Sequence, residues 1–140
     1  MPRRIIPDVI RDQQVACVSG RASVREAATL MRENDVGAVL IIEEKALKGI
    51  LTVNDVACRV VAEGRDPDAT CVAAVMTADP DTVGPETTAI EALRLMQDGG
   101  YRHLPVIDNG RVSGVVSRRD FYGNEKARLD DETALWEHIG

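Results

Sequence analysis

Two segments carry the residue types best suited to chemistry. GILTVND (49–55) and GVVSRRD (114–120) each set a hydroxyl three residues after a glycine and a carboxylate three residues after the hydroxyl. Each starts in an apolar run and ends where a helical pattern begins. Thr52 and Ser117 therefore stand where unsatisfied backbone amides favour an anion. The carboxylates of Asp55 and Asp120, near the same opening, can each accept two hydrogen bonds from a ribose diol, as acidic residues do in dinucleotide folds. Gly49 and Gly114 leave room for a ligand or for a neighbouring stretch of chain. Thr-x-x-Asp is also a capping box, in which the side chains satisfy only their own helix. For a single segment capping is the simpler account; two segments in the same context favour binding.

The second segment has cations that the first lacks. Arg102 and His103 precede its apolar run, and Arg118 and Arg119 follow Ser117. The matching residues of the first are Gly37-Ala38 and Val53-Asn54. Arginine forks suit phosphate geometry, and a cation cluster binds anions through charge-assisted hydrogen bonds. The competing account is a solvated basic face. His103 is either a pH-sensitive contact or an ordinary packing residue at a strand start.

These segments belong to an internal repeat at an offset of 65 residues, Gly49 to Gly114. The offset aligns ASVREAATLM (22–31) with TTAIEALRLM (87–96) and AVLII (38–42) with HLPVI (103–107), and no insertion is required from Pro7/Val72 to Asp55/Asp120. In each copy a short extended piece (15–18; 81–83) precedes a turn. Ser23 and Thr88, each with a glutamate three residues on, then read as helix N-caps. Helices are predicted over 24–34 and 89–98 from apolar spacing, with Met31 and Met96 on the inward face, stopped by Asn34 and by Gly99-Gly100. Strand pairs follow at 38–42 with 47–51 and at 104–107 with 112–116, the second joined by the hairpin signal Asn109-Gly110. Second helices are expected over 53–63 and 118–124, and a short one over 71–76 opens the second copy. The domain expectation is one motif in 1–66, a second in 67–125 and a helical tail in 126–140 holding Trp136, which either packs on the body or lies in a dimer interface. One motif of about 60 residues buries too little surface alone. The pair is expected to close about a pseudo-twofold axis, creating a cleft between the copies.

Composition narrows the function classes. The 140 residues are 44% hydrophobic and 29% charged, with a net charge of −6 from 17 basic and 23 acidic residues. That balance argues against nucleic acid as a partner. No apolar run suits a bilayer span or a signal peptide, which gives a cytoplasmic expectation with no membrane partner. Cys17, Cys58 and Cys71 lack metal-ligand spacing and read as small buried hydrophobes, so no metal site is expected.

The repeat resembles the CBS (cystathionine-β-synthase) motif, and the tandem resembles a CBS pair or Bateman module. The resemblance rests on VAAVMTADPDTVGPETTAIEALRLM, the YRHLPVID strand entry and both G-x-x-[TS]-x-x-D segments, and spans about residues 7–124. It implies a mixed α/β fold of two β-α-β-β-α units, frequently a homodimer of pairs. It also implies an adenosine-bearing ligand such as AMP, ADP or ATP, with S-adenosylmethionine or NAD as further members of the class. Asp55 and Asp120 would then hold ribose hydroxyls, and Thr52 and Ser117 would lie near ribose or phosphate. The backbone at Val18 and Val83 would flank the base. Arg102 and His103 stand where family members grip phosphate, with Leu104 and Pro105 continuing that strand entry.

The leading function is a regulatory module that binds an adenine nucleotide and signals to a partner in trans by conformational or oligomeric change. A structural oligomerisation module with a vestigial cleft is the alternative. An enzyme is not expected, since the chain shows no Ser/His/Asp or Cys/His arrangement and no phosphate loop of the Walker type.

Overall fold

The computed structural model describes residues 3–10 and 14–121. It divides into two compact units: residues 14–81 with 109–112, and residues 3–10, 82–108 and 113–121.

In the first unit, β1 (Cys17–Val18) leads to α1 (Val24–Asn34), β2 (Ala38–Glu43), β3 (Ala46–Thr52) and α2 (Val53–Asp55), which continues as a π-helical stretch, Val56–Val61. A four-stranded sheet runs in the order β1-β2-β3-β4, with β4 at Thr77–Ala78. β1 is parallel to β2, and the other pairs are antiparallel. Ser23 caps α1 by accepting from Glu26 N–H at 3.1 Å. The helix turns Val24, Ala27 and Met31 into a core with Val39, Ile41, Leu51 and Val60. It ends at Asn34 as predicted, but Asp35, not Asn34, takes the left-handed conformation that stops it (φ 51°). The β2–β3 turn has Glu44 and Lys45 at positive φ, the geometry of a type I′ hairpin.

The second unit repeats this. Thr88 caps α3 (Ala89–Gly99) through Glu91 N–H at 3.3 Å, and Gly100 stops it at φ 75°. Ala89, Ala92, Leu93 and Met96 fill a core with Leu104, Val106 and Val116. β5 (His103–Asp108) and β6 (Arg111–Ser117) form a two-stranded sheet across Asn109 and Gly110, both at positive φ. Val83 bridges Val106 in parallel, as Val18 pairs with Ile41 in the first unit.

Each core takes in chain from outside its own repeat. Val72 and Val75, which open the second copy in sequence, are buried in the first unit. Ile5 and Ile10 are buried in the second. The hydrogen bonds match one for one. Ile5 N–H donates to Thr87 O and Ile6 N–H to Pro85 O, while Ala89 N–H donates to Arg3 O. Val72 N–H donates to Ala22 O and Ala73 N–H to Gly20 O, while Val24 N–H donates to Thr70 O. These pairs set Ile5 against Val72, whereas the gap-free alignment sets Pro7 there. The discrepancy of two residues is absorbed by the turn: Ile10 N–H reaches back five residues to Ile5 O, and Val75 N–H three residues to Val72 O. The repeat is therefore continuous only from Ile10/Val75 onward.

Two further expectations are corrected. The helix predicted over 118–124 is a single 3-10 turn, Arg118–Asp120, ended by extended backbone at Phe121 (φ −92°, ψ 134°) that buries the ring. The rest of that segment and the tail lie outside the described residues. Cys17, Cys58 and Cys71 are exposed, not buried. Cys17 sits on the outer face of a two-residue strand, Cys58 on the outer face of the 53–61 helix, and Cys71 just ahead of a 3-10 turn. No helix among the described residues is long and apolar enough to cross a membrane.

Gly49 identifies which of the two uses of glycine applies in the first copy. A Cβ there would lie 2.8 Å from Thr77 O, so the residue admits β4 rather than a ligand. Gly49→Ala should cost about 1–3 kcal/mol by overpacking. That would lower the melting temperature by about 3–9 °C in a thermal melt.

Candidate functional site

Both hydroxyl–carboxylate turns form where β3 and β6 run out, and one backbone bond seats each of them. Val53 N–H donates to Gly37 O at 3.1 Å, and Arg118 N–H donates to Arg102 O at 2.8 Å. Each turn thus rests on the residue just before the neighbouring strand, β2 or β5. The backbone geometry is shared, but the side chains are not used alike.

In the first copy the two functional groups satisfy each other. Thr52 Oγ1 accepts from Asp55 N–H at 3.2 Å and donates to Asp55 Oδ2 at 3.0 Å. The same carboxylate oxygen accepts from Thr52 N–H at 2.9 Å. Asp55 is 8% exposed, the one buried charged residue among the described residues. Its other oxygen faces Arg59 Nε at 3.7 Å. This is the reciprocal capping box of the simpler account. Val18 lies half-buried on β1.

The second copy is slack on the hydroxyl side. Asp120 Oδ2 accepts from Ser117 N–H at 2.7 Å, as its counterpart does. Ser117 Oγ occupies the same cap position facing Asp120 N–H, but it is buried and the contact completes no hydrogen bond of good geometry. An unsatisfied buried hydroxyl costs free energy until a donor or acceptor reaches it. Arg119 is exposed, Arg118 and Asp120 are half-buried, and Arg102 is exposed ahead of β5. Arg102, Arg119 and Asp120 all act electrostatically on His103, so these residues form one cluster.

Leu104 is fully buried in the core, and Pro105 is buried with its carbonyl accepting from Val83 N–H at 3.0 Å. Val83 O accepts from Ile107 N–H at 2.8 Å, which fixes the backbone there. These three residues shape the strand entry instead of presenting polar groups. Among the described residues no group of three or more His, Cys, Asp or Glu is placed to hold a metal ion.

Sequence reasoning missed Arg59. Its guanidinium Nη1 donates to Val75 O and to Met76 O, both at 3.1 Å. The available signal was its position four residues after Asp55 on a helix, where side chains are neighbours.

Partial burial lowers the His103 pKa below its ordinary 6.5, and the positive charges of Arg119 and Arg102 push the same way while Asp120 opposes them. The folded chain thus binds this proton less readily than the unfolded chain. Stability from the neutral imidazole is complete above the unfolded value and declines as pH falls from about 6.5 towards the lower folded value. Wild type should lose more melting temperature than His103→Gln between about pH 7 and pH 5. Equal losses would contradict this.

Comparison with known proteins follows the sequence repeat. A CBS domain family model matches residues 7–61 and again 72–124. The chain is 36% identical over 122 residues to the CBS domain-containing protein YhcV of Bacillus subtilis, covering 87% of this chain and 86% of that one. It is 41% identical over 108 residues to CBSCBSPB2 of Arabidopsis thaliana, covering 76% of this chain and only 20% of that protein's length. Among solved structures it resembles the CBS domain protein PAE2072 of Pyrobaculum aerophilum complexed with AMP, with a TM-score of 0.78, 25% identity, and coverage of 93% and 98%. It also resembles a hexameric CBS-CP12 protein from bloom-forming cyanobacteria, with a TM-score of 0.78, 26% identity, and coverage of 86% and 66%. With the family model matched twice over a mixed α/β fold, the chain belongs to the CBS domain family and carries two CBS motifs in tandem.

Proposed function

We propose that this chain is a regulatory binding module, not an enzyme, and that it takes an adenine nucleotide of the AMP, ADP or ATP type at the second-copy turn. The observation that carries the reading is the buried Ser117 Oγ, which faces Asp120 without completing a hydrogen bond, beside a cluster of Arg102, His103 and Arg119 with Arg118 next in the chain. Asp120 accepts the ribose diol, Ser117 supplies the hydroxyl contact, and the arginines meet the phosphate. The backbone beside Val83 flanks the base. S-adenosylmethionine and NAD carry the same adenosine but place different charge near the arginines, which makes them weaker ligands on this account. AMP in the PAE2072 complex supports the ligand class.

Signalling follows from a shift in conformation or assembly that the nucleotide stabilises, exerted on a partner protein. Self-association as a homodimer belongs to this reading, and the hexameric CBS-CP12 protein supports assembly as a property of related chains.

A thermal-shift series with AMP, ADP, ATP and adenosine tests the proposal. Ligand at 100 times its Kd should stabilise wild type by about 2.7 kcal/mol. Asp120→Ala should lose most of that shift, and adenosine should give less than AMP. A series with no shift for any nucleotide, or an undiminished shift in Asp120→Ala, would return the chain to the class of structural assembly modules.

A further inference from the structure

We infer that Arg59 decides which copy of the motif takes a nucleotide: it closes the first-copy turn onto the 72–78 segment and so leaves one nucleotide site per chain. The part concerning nucleotide rests on the function proposed above; the closure itself does not.

A ribose diol at Asp55 would need two acceptor positions on a reachable carboxylate. Oδ2 already accepts from Thr52 N–H and from Thr52 Oγ1. Oδ1 faces the Arg59 guanidinium. The hydroxyl that would contact the ligand donates to Asp55 and accepts from its backbone N–H. The first-copy counterparts of Asp120 and Ser117 are thus both engaged internally, the second copy's arginines have no counterpart there, and Asp55 is almost wholly buried.

Arg59 makes the closure specific. Four residues beyond Asp55, it lies on the same helix face. From there its planar fork spans the carboxylate on one side and the carbonyls of Val75 and Met76 on the other. Those carbonyls directly precede β4, where Thr77 pairs with Ile50 and Ala78 with Gly49. The arginine therefore joins the motif's carboxylate to the segment that completes the first unit's core. Its side chain is half-exposed, so its hold comes mainly from the two carbonyl hydrogen bonds and less from the screened ion pair. Admitting a ribose would break this arrangement. The position 65 residues later is Asn124, which has no charge with which to make such a clasp.

Isothermal titration of the full chain with AMP, beside hydrogen exchange of the 72–78 segment without ligand, tests both halves. Wild type should bind one AMP per chain. Arg59→Gln should bind a second, raising the stoichiometry from one AMP per chain to two. In ligand-free protein, Arg59→Gln should speed amide exchange in 72–78 by about tenfold or more while α1 exchange stays unchanged. Two AMP per wild-type chain, or one per folded Arg59→Gln chain, would overturn the selector role. Unchanged exchange in 72–78 would overturn the clasp. If Arg59→Gln does not fold, Arg59→Lys keeps a cation but loses the fork, and the same two readouts apply to it. Wild type that binds no AMP would overturn the nucleotide reading and the selector role with it, and the exchange data would still judge the clasp.

Discussion

A motif of about 60 residues buries only a marginal apolar surface on its own, and that shortage organises this chain. Each unit completes its core with a lead segment from outside its own repeat. Val72 and Val75 do this for one unit, Ile5 and Ile10 for the other. Fully burying such a side chain contributes about 1.5–3 kcal/mol, a large share of the stability of a small unit. Once the 72–78 segment must lie against β3, the neighbouring features follow. Gly49 has no side chain because Thr77 O occupies that space, and Arg59 reaches across to cap the free carbonyls of Val75 and Met76. Asp55 faces the guanidinium that this brings close.

The duplicated scaffold is therefore symmetric in backbone and asymmetric in chemistry. Both turns are seated by the same amide-to-carbonyl bond and both carboxylates accept from the cap residue's amide. In the first copy the hydroxyl and one carboxylate oxygen close on each other, and the other oxygen faces Arg59. The second copy retains an unsatisfied hydroxyl among arginines. Leaving a buried group unpaired costs stability, and such costs concentrate where a protein binds or reacts.

Much of this was legible before any coordinates. The caps at Ser23 and Thr88, the helices they start and the Asn109-Gly110 turn are local signals, and local physics decided them. So were the two G-x-x-[TS]-x-x-D turns and the cations that distinguish them. What could not be read depended on contacts distant in sequence. The destination of the 72–78 segment, and hence the purpose of Gly49, is a tertiary fact. The two-residue slip at Ile5/Val72 is hidden because a π turn and a 3-10 turn both satisfy their backbone. Phe121 ended the expected helix because its ring is drawn into the core. The cysteines were misjudged because composition gives average burial, not the face on which a residue falls.

The two matching turns differ in how far their polar groups are already engaged. A crystal structure of the full chain grown with saturating AMP would test it most directly. The expected result is one nucleotide per chain, its ribose on Asp120 and its phosphate among Arg102, Arg118 and Arg119, with Arg59 still against Asp55. A nucleotide whose ribose is held by Asp55, with Arg59 turned away, would contradict it.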